Sequence, residues 1–119
     1  MVYHILRAEE WEYARRQKVY TPATFGQEGF IHLCEADQIE GVVNRYFLGQ
    51  GDLVVLCVAP EALIAVLHYE NLLGGEELFP HLYGPLNLDA VRDVIYFRPE
   101  QDHITGSYSI ESIKSRLKD

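Results

Sequence analysis

The sequence predicts an α+β domain with a mixed or antiparallel sheet. Helix-like and strand-like segments alternate early in the chain, whereas strand-like segments dominate later, and this order is typical of α+β rather than of a doubly wound parallel sheet. Leu53–Val58 is a continuous apolar run, which predicts a central strand buried on both faces. The length of 119 residues favours one domain over 1–119, with a core over 2–99 and a C-terminal extension over 100–119.

The first half of the chain begins with a strand over Val2–Leu6. A helix is predicted over Ala8–Arg16, because acidic residues occupy its first turn and basic residues its last. Prolines and glycines make Val19–Gly29 a loop. A short strand over Phe30–Cys34 then leads into a second helix, Glu35–Phe47, whose apolar residues recur at three- and four-residue steps.

The second half continues after the central strand with a strand over Ile64–Tyr69. A loop follows over Glu70–Pro80. Asn87–Asp93 suits one or two turns of helix with its first residue as the cap. Val94–Arg98 is the last clear strand, and Ser109–Lys118 is predicted as a terminal helix from its apolar spacing.

Charge and composition exclude several classes of protein. The net charge of −8 opposes binding to extended nucleic acid, although one or two arginines suffice for a small phosphate pocket. The longest apolar stretch is broken by Pro60 and Glu61, so no membrane span is expected. Cys34 and Cys57 lie in different predicted elements without CxxC spacing. Charged residues follow the first strand closely, so no signal peptide is expected. These features favour reduced thiols and a cytoplasmic location.

Three histidines lie in apolar surroundings: His4 and His32 within predicted strands, and His81 in an aromatic-rich loop. A histidine placed in this way must find hydrogen-bond partners for both ring nitrogens. Each histidine is either a core or surface residue whose ring nitrogens bond backbone carbonyls, or part of a functional site. Pro80 and Pro85 stiffen the chain around His81, and a rigid aromatic loop is a common way to present side chains to a ligand.

Other chemistry is less well supported by spacing. The three histidines and Cys34 are competent zinc ligands, but no pair has the spacing of a known zinc motif. No GxGxxG or GxxxxGK[ST] loop occurs. Glu76 and Glu77 are either solvated loop acids or supply the carboxylate of a site.

Three segments together resemble the bacterial family catalogued as domain of unknown function 952. They are Tyr3-His4-Ile5, Gly29-Phe30-Ile31-His32-Leu33-Cys34, and Gly75–Leu86 followed by Leu88-Asp89-Ala90-Val91. The resemblance implies a fold similar to that of the ADP-ribosyltransferases, in which a split sheet forms a cleft for NAD. It implies no established activity.

Tyr3-His4 is also similar to the first-strand Tyr-His of diphtheria-toxin-like enzymes and RNA 2′-phosphotransferases. That similarity implies that His4 bonds a ribose hydroxyl of NAD and that His32 contacts a ribose or phosphate. Glu77, or Glu76, would be the transferase carboxylate. We therefore expect His4, His32, Glu77 and His81 as catalytic residues, and we assign the cofactor-binding set to Tyr3, His4, Trp11 and Tyr83.

The function predicted from these features is an ADP-ribosyltransferase-type cleft that binds NAD or another small ribose-phosphate ligand. Ribosyl or phosphoryl transfer would use imidazole for acid–base chemistry. Two alternatives stay open: a non-catalytic module with the same cleft, and a metal-dependent hydrolase that uses the histidines.

Overall fold

The computed structural model describes residues 1–117, which form an α+β fold with mostly antiparallel sheets and few short helices. Its strands are β1 (Val2–Arg7), β2 (Val19–Tyr20), β3 (Ile31–His32), β4 (Leu53–Val58), β5 (Val66–Glu70), β6 (Phe79–Tyr83), β7 (Leu86–Asn87), β8 (Val91–Phe97), β9 (Glu100–Gln101) and β10 (Tyr108–Ser109). Its α-helices are α1 (Ala8–Ala14), α2 (Phe25–Glu28) and α3 (Ile39–Tyr46). Short 3-10 helices cover Ala36–Gln38, Pro60–Ala62, Leu88–Ala90 and Glu111–Arg116.

The first sheet has the strand order β1-β4-β8, and both pairings are antiparallel. All six residues of β4 are buried, so the prediction of a central strand covered on both faces is confirmed. Its apolar side chains alternate between two hydrophobic clusters, one on each face of the sheet. The same alternation places Tyr3 in one cluster and turns His4 toward the other.

The second sheet has the order β3-β6-β5. An isolated bridge joins it to the first sheet, because Tyr3 and Cys34 exchange two backbone hydrogen bonds of 2.8 Å each. Ile31 and Leu82 pair across β3 and β6 and are fully buried in the cluster that lies against the first sheet. The opposite face of the second sheet carries histidine, glutamate and aromatic side chains.

Two predicted loops contain regular structure. Val19–Gly29 holds β2, which pairs with β7, and the one-turn helix α2. The prediction that His81 lies in a loop is wrong, since it lies on β6, the central strand of the second sheet. Pro80 cannot donate a hydrogen bond to the sheet, but its carbonyl accepts a 3.0 Å hydrogen bond from the Leu33 amide.

Other differences concern helix ends. The predicted helix Glu35–Phe47 begins as a 3-10 turn before α3, and the terminal helix is a 3-10 helix over Glu111–Arg116. Lys118, its predicted end, lies outside the described residues. Within residues 1–117, no helix has both the length and the hydropathy needed to cross a membrane.

Asn87 occupies the predicted cap position, before a 3-10 turn, but its side chain makes no capping hydrogen bond to that turn and bonds neighbouring groups instead. Its Nδ2 donates to the Ala62 carbonyl at 2.9 Å and to Asp89 Oδ1 at 2.6 Å, while its Oδ1 accepts from the Ile64 amide at 3.1 Å. The expected helix shortens to one 3-10 turn, and β8 begins directly after it, at Val91. A buried amide with these bonds fixes the start of β5 against β7.

Candidate functional site

Three histidines form a row across the outer face of the second sheet. The register pairs His32 with His81 and His81 with His68. Directly paired residues in a sheet project to the same face, so the three side chains are neighbours. The rings of His32 and His81 lie 5.3 Å apart, edge to face. We call the row and its contacts the histidine face, which comprises Glu28, Phe30, His32, His68, Glu70, His81 and Tyr83.

His81 is the most enclosed member of this row. Its side chain is 7% exposed, and its Nδ1 lies 3.0 Å from Glu70 Oε2 on the neighbouring strand. The Phe30 ring stacks on the imidazole with 4.2 Å between ring centroids. These contacts fix both the position and the rotation of the ring.

Tyr83 completes the arrangement around Glu70. Its hydroxyl donates to the same Oε2 atom that faces His81. Bonds from Tyr83 and then from His81 hold the pKa of the Glu70 carboxyl below its usual range, while the Glu70 carboxylate raises the pKa of the Tyr83 phenol. Glu70 is therefore ionised at neutral pH and accepts from two donors.

His32 pairs with Glu28 at the exposed edge of the face. The distance from His32 Nε2 to Glu28 Oε2 is 2.9 Å, and this bond is the main cause of the lowered pKa of Glu28. Helix α2 ends at Gly29, whose φ of 79° lies in the left-handed region that favours glycine. That turn brings the chain from the helix into β3 and sets Glu28 beside His32.

His4 lies behind the histidine face rather than on it. Its Nδ1 is 2.7 Å from the His32 carbonyl, and its Nε2 is 3.3 Å from the Tyr20 hydroxyl. A carbonyl only accepts, so Nδ1 carries the hydrogen and Nε2 accepts from Tyr20. Burial lowers the pKa of His4 to about 4, against smaller opposing effects of the His32 carbonyl and the Glu10 charge. The ring is therefore neutral at pH 7, and both of its nitrogens are already bonded.

The other sequence candidates are divided between the face and the core. Tyr83 lies on the face, whereas Tyr3 is 1% exposed and Trp11 is 7% exposed within the two hydrophobic clusters. Glu77 Oε2 accepts from Gln38 Nε2 at 3.2 Å, and no hydrogen bond within residues 1–117 joins it to His81. The structure thus brings together His32, His81 and Tyr83 of the predicted set.

Four members of the face escaped the sequence analysis: Glu28, Phe30, His68 and Glu70. A signal for two of them exists, because His68 and Glu70 are two residues apart on a strand and so share a side. The same spacing relates His81 to Tyr83. The partners across strands follow only from the register.

Thiol and metal chemistry find little support in the geometry. Burial raises the pKa of the Cys34 thiol to about 12, and Cys57 is also buried and forms no disulfide within residues 1–117. Across residues 1–117, no group of three or more histidine, cysteine or acidic side chains is placed to hold a metal ion. Two cavities, of about 200 and 420 Å³, are lined by residues outside the histidine face.

Comparison with known proteins identifies the family. The family model DUF952, described as a protein of unknown function, matches residues 5–94 of the chain. The crystal structure of protein CC0527 from Caulobacter crescentus superposes with a TM-score of 0.78 and is 32% identical, covering 96% of this chain and 97% of that one. The solution structure of CC0527 gives a TM-score of 0.70 at 31% identity, covering 98% and 95%. No curated protein matches. The chain therefore belongs to the DUF952 family.

Proposed function

We propose that the protein binds a small ribose-containing ligand, of the NAD or ribose-phosphate class, on the histidine face. The observation that carries the proposal is the row His32–His81–His68, with Glu70 and Tyr83 bonded beside it. Imidazole, carboxylate and phenol groups together offer the donors and acceptors that ribose hydroxyls require. Phe30 and Tyr83 add aromatic surface against which a base or sugar can pack.

The charges of the face favour the ribose over the phosphate as the main point of contact. Strands β3, β5 and β6 carry no lysine or arginine, and Glu28 and Glu70 are both acidic. Only the imidazoles can become positive there. A phosphate on this face would therefore meet two carboxylates and no lysine or arginine of these strands.

An ADP-ribosyltransferase-like architecture is part of the proposal. Two three-stranded antiparallel sheets joined at one bridge, Tyr3–Cys34, are consistent with a split sheet. The ligand would lie on the second sheet, with His4 supporting β3 through the His32 carbonyl. In this arrangement His4 orients the strand that bears His32 and does not itself contact the ribose.

Titration calorimetry with NAD, ADP-ribose and adenosine tests the proposal. We expect His32→Ala and His68→Ala each to weaken ADP-ribose binding about tenfold, the loss of roughly one hydrogen bond. His103→Ala is the matched control, because His103 is exposed in the turn between β9 and β10. Absence of binding at millimolar ligand, or equal effects of all three substitutions, would refute it.

Turnover separates a transferase from a binding module. We propose transfer chemistry as the fuller function, because Glu70 orients His81 in the manner of an acid–base group. Mass spectrometry of NAD after long incubation with the protein should then show ADP-ribose or a ribosylated product. Binding without any consumption of NAD would refute transfer chemistry and support a non-catalytic binding module.

A further inference from the structure

Glu70 controls which nitrogen of His81 carries the proton. Its Oε2 lies 3.0 Å from His81 Nδ1 and also accepts from the Tyr83 hydroxyl. An ionised carboxylate is only an acceptor, so the hydrogen of the neutral imidazole lies on Nδ1. The lone pair of the ring is consequently on Nε2.

Nε2 of His81 keeps some accessible surface although the ring is largely buried. No hydrogen bond within residues 1–117 involves Nε2. No fully covered side-chain nitrogen or oxygen in that range lacks a partner, so Nε2 must retain some accessible surface. The ring is therefore packed on Phe30, bonded at one nitrogen and accessible at the other.

We propose that His81 is a general base that acts through Nε2, with Glu70 as its positioning residue. A ligand hydroxyl or a water molecule on the histidine face would lose its proton to Nε2. The O–H bond breaks, its electron pair stays on oxygen, and an N–H bond forms on Nε2. The resulting imidazolium faces the Glu70 carboxylate, which stabilises its charge.

The groups around the ring support this direction of proton transfer. Glu70 and His68 contribute from β5, Tyr83 from β6 itself, His32 from β3, and Glu28 from α2. The carboxylates of Glu28 and Glu70 lie near the other two imidazoles of the row. A positive charge on His81 would therefore lie at hydrogen-bond distance from the Glu70 carboxylate. A purely structural link between β5 and β6 would need the Nδ1 bond but no accessible Nε2.

The inference rests on the proposed function for the identity of the ligand, but its core can be tested without ligand. Two-bond ¹H–¹⁵N spectra of the full chain report the tautomer of each histidine. Carbethoxylation by diethyl pyrocarbonate, mapped by mass spectrometry, reports an accessible unprotonated ring nitrogen. We expect His81 to be in the Nδ1–H form at pH 7.5 and to be modified at Nε2 at a rate within about tenfold of exposed His103.

Glu70→Gln provides the variant test, with exposed Glu61→Gln as the matched control. Glutamine can also donate, so the variant should shift His81 toward a mixture of tautomers and slow its modification at least threefold. Glu61→Gln should change neither. Should Glu70→Gln fail to fold, the two wild-type measurements still decide the matter.

The outcomes for base and ligand are distinct. An Nε2–H tautomer, or a His81 that is not modified while His103 is, overturns the general base even if ADP-ribose binds. A reactive Nε2 in a protein that binds no ribose ligand supports the base and refutes the proposed function. Protection of Nε2 by saturating ADP-ribose, by about fivefold or more, supports both.

Discussion

The two three-stranded sheets of this protein differ in how they use their faces. Both faces of the first sheet are covered by apolar clusters, and its central strand has no exposed residue. The second sheet buries Ile31 and Leu82 on one face and presents histidines, acids and aromatic rings on the other. Apolar burial is thus concentrated in the first sheet, whereas imidazole, carboxylate and phenol groups line one face of the second.

The position of each histidine follows this division. His4 belongs to the first sheet, is buried and neutral, and bonds Tyr20 and the His32 backbone. His32 and His68 belong to the second sheet and are exposed. His81 combines features of both, because its ring is buried while Nε2 stays accessible. Burial of the imidazole therefore distinguishes His4 from His32 and His68 along a single chain.

The largest expected effect comes from breaking the first sheet. Leu56 lies in β4 with 0% exposure, and Leu56→Ala should lower the free energy of unfolding by about 3 kcal/mol, the sum of lost burial and a residual cavity. Urea unfolding followed by circular dichroism measures it. Val66→Ala is the counterpart on β5, where the residue is 62% exposed, and should change stability by less than about 0.5 kcal/mol. Equal losses would contradict the comparison.

A second effect concerns the pH dependence that His4 imposes on the first sheet. Its pKa is about 4 in the folded chain against 6.5 for an unperturbed histidine. The unfolded chain therefore binds the proton first as the pH falls. The stabilisation is complete above pH 6.5 and is lost progressively down to about pH 4, by roughly 3 kcal/mol at about 1.4 kcal/mol per pH unit.

Urea unfolding at several pH values between 7.5 and 4.5 tests this dependence on His4. His4→Gln removes the titrating group, so its stability should be lower at pH 7.5 but should fall less steeply below pH 6.5. His103→Gln, at an exposed position, serves as the control and should keep the wild-type slope. If the free energy of unfolding of His4→Gln fell with pH as steeply as that of the wild type, groups other than His4 would cause the pH dependence.

The contrast between the sheets also explains what could be predicted from the sequence. The strand Leu53–Val58 was predicted with its observed bounds, because a strand covered on both faces leaves a continuous apolar run. The strand around His81 was missed, because Pro80 and nearby glycines are typical of loops. Its pairing with β3 joins residues about fifty positions apart, as in Ile31 and Leu82, and no local pattern records that contact.

The candidate site shows the same limit. Apolar surroundings singled out His32 and His81, and Tyr83 was assigned to the cofactor-binding set; the structure brings these three residues to one face. The family resemblance indicated Glu77, or Glu76, as the carboxylate, whereas the carboxylate bonded to His81 is Glu70. Glu70 is set by the register of the β5–β6 hairpin, which depends on the whole loop between those strands. The burial of His4 depends on Tyr20, which β2 holds in place by pairing with β7.

A third effect, of intermediate size, tests how tightly the β5–β6 hairpin is closed. A Cβ at Gly84 would lie 2.6 Å from the Ala65 Cβ, so Gly84→Ala should cost about 1–3 kcal/mol through overpacking. Ala65→Gly in the same chain removes the clash and should recover most of the loss. Thermal unfolding of the single and double variants measures the coupling. A full loss that Ala65→Gly does not relieve would show that another contact is responsible.

The smallest expected effect distinguishes neighbouring histidines of one row. His68→Ala should change the free energy of unfolding by less than about 0.5 kcal/mol, because its side chain is exposed on the outer strand β5. His81→Ala should cost about 1–3 kcal/mol, because it leaves Glu70 without one donor and exposes a ring face of Phe30. Chemical denaturation of both variants, with His103→Ala as the surface reference, measures the difference. If His68→Ala and His81→Ala were equally destabilising, the row would be a structural ladder; if only His81→Ala is, the outer histidine is free to serve a ligand.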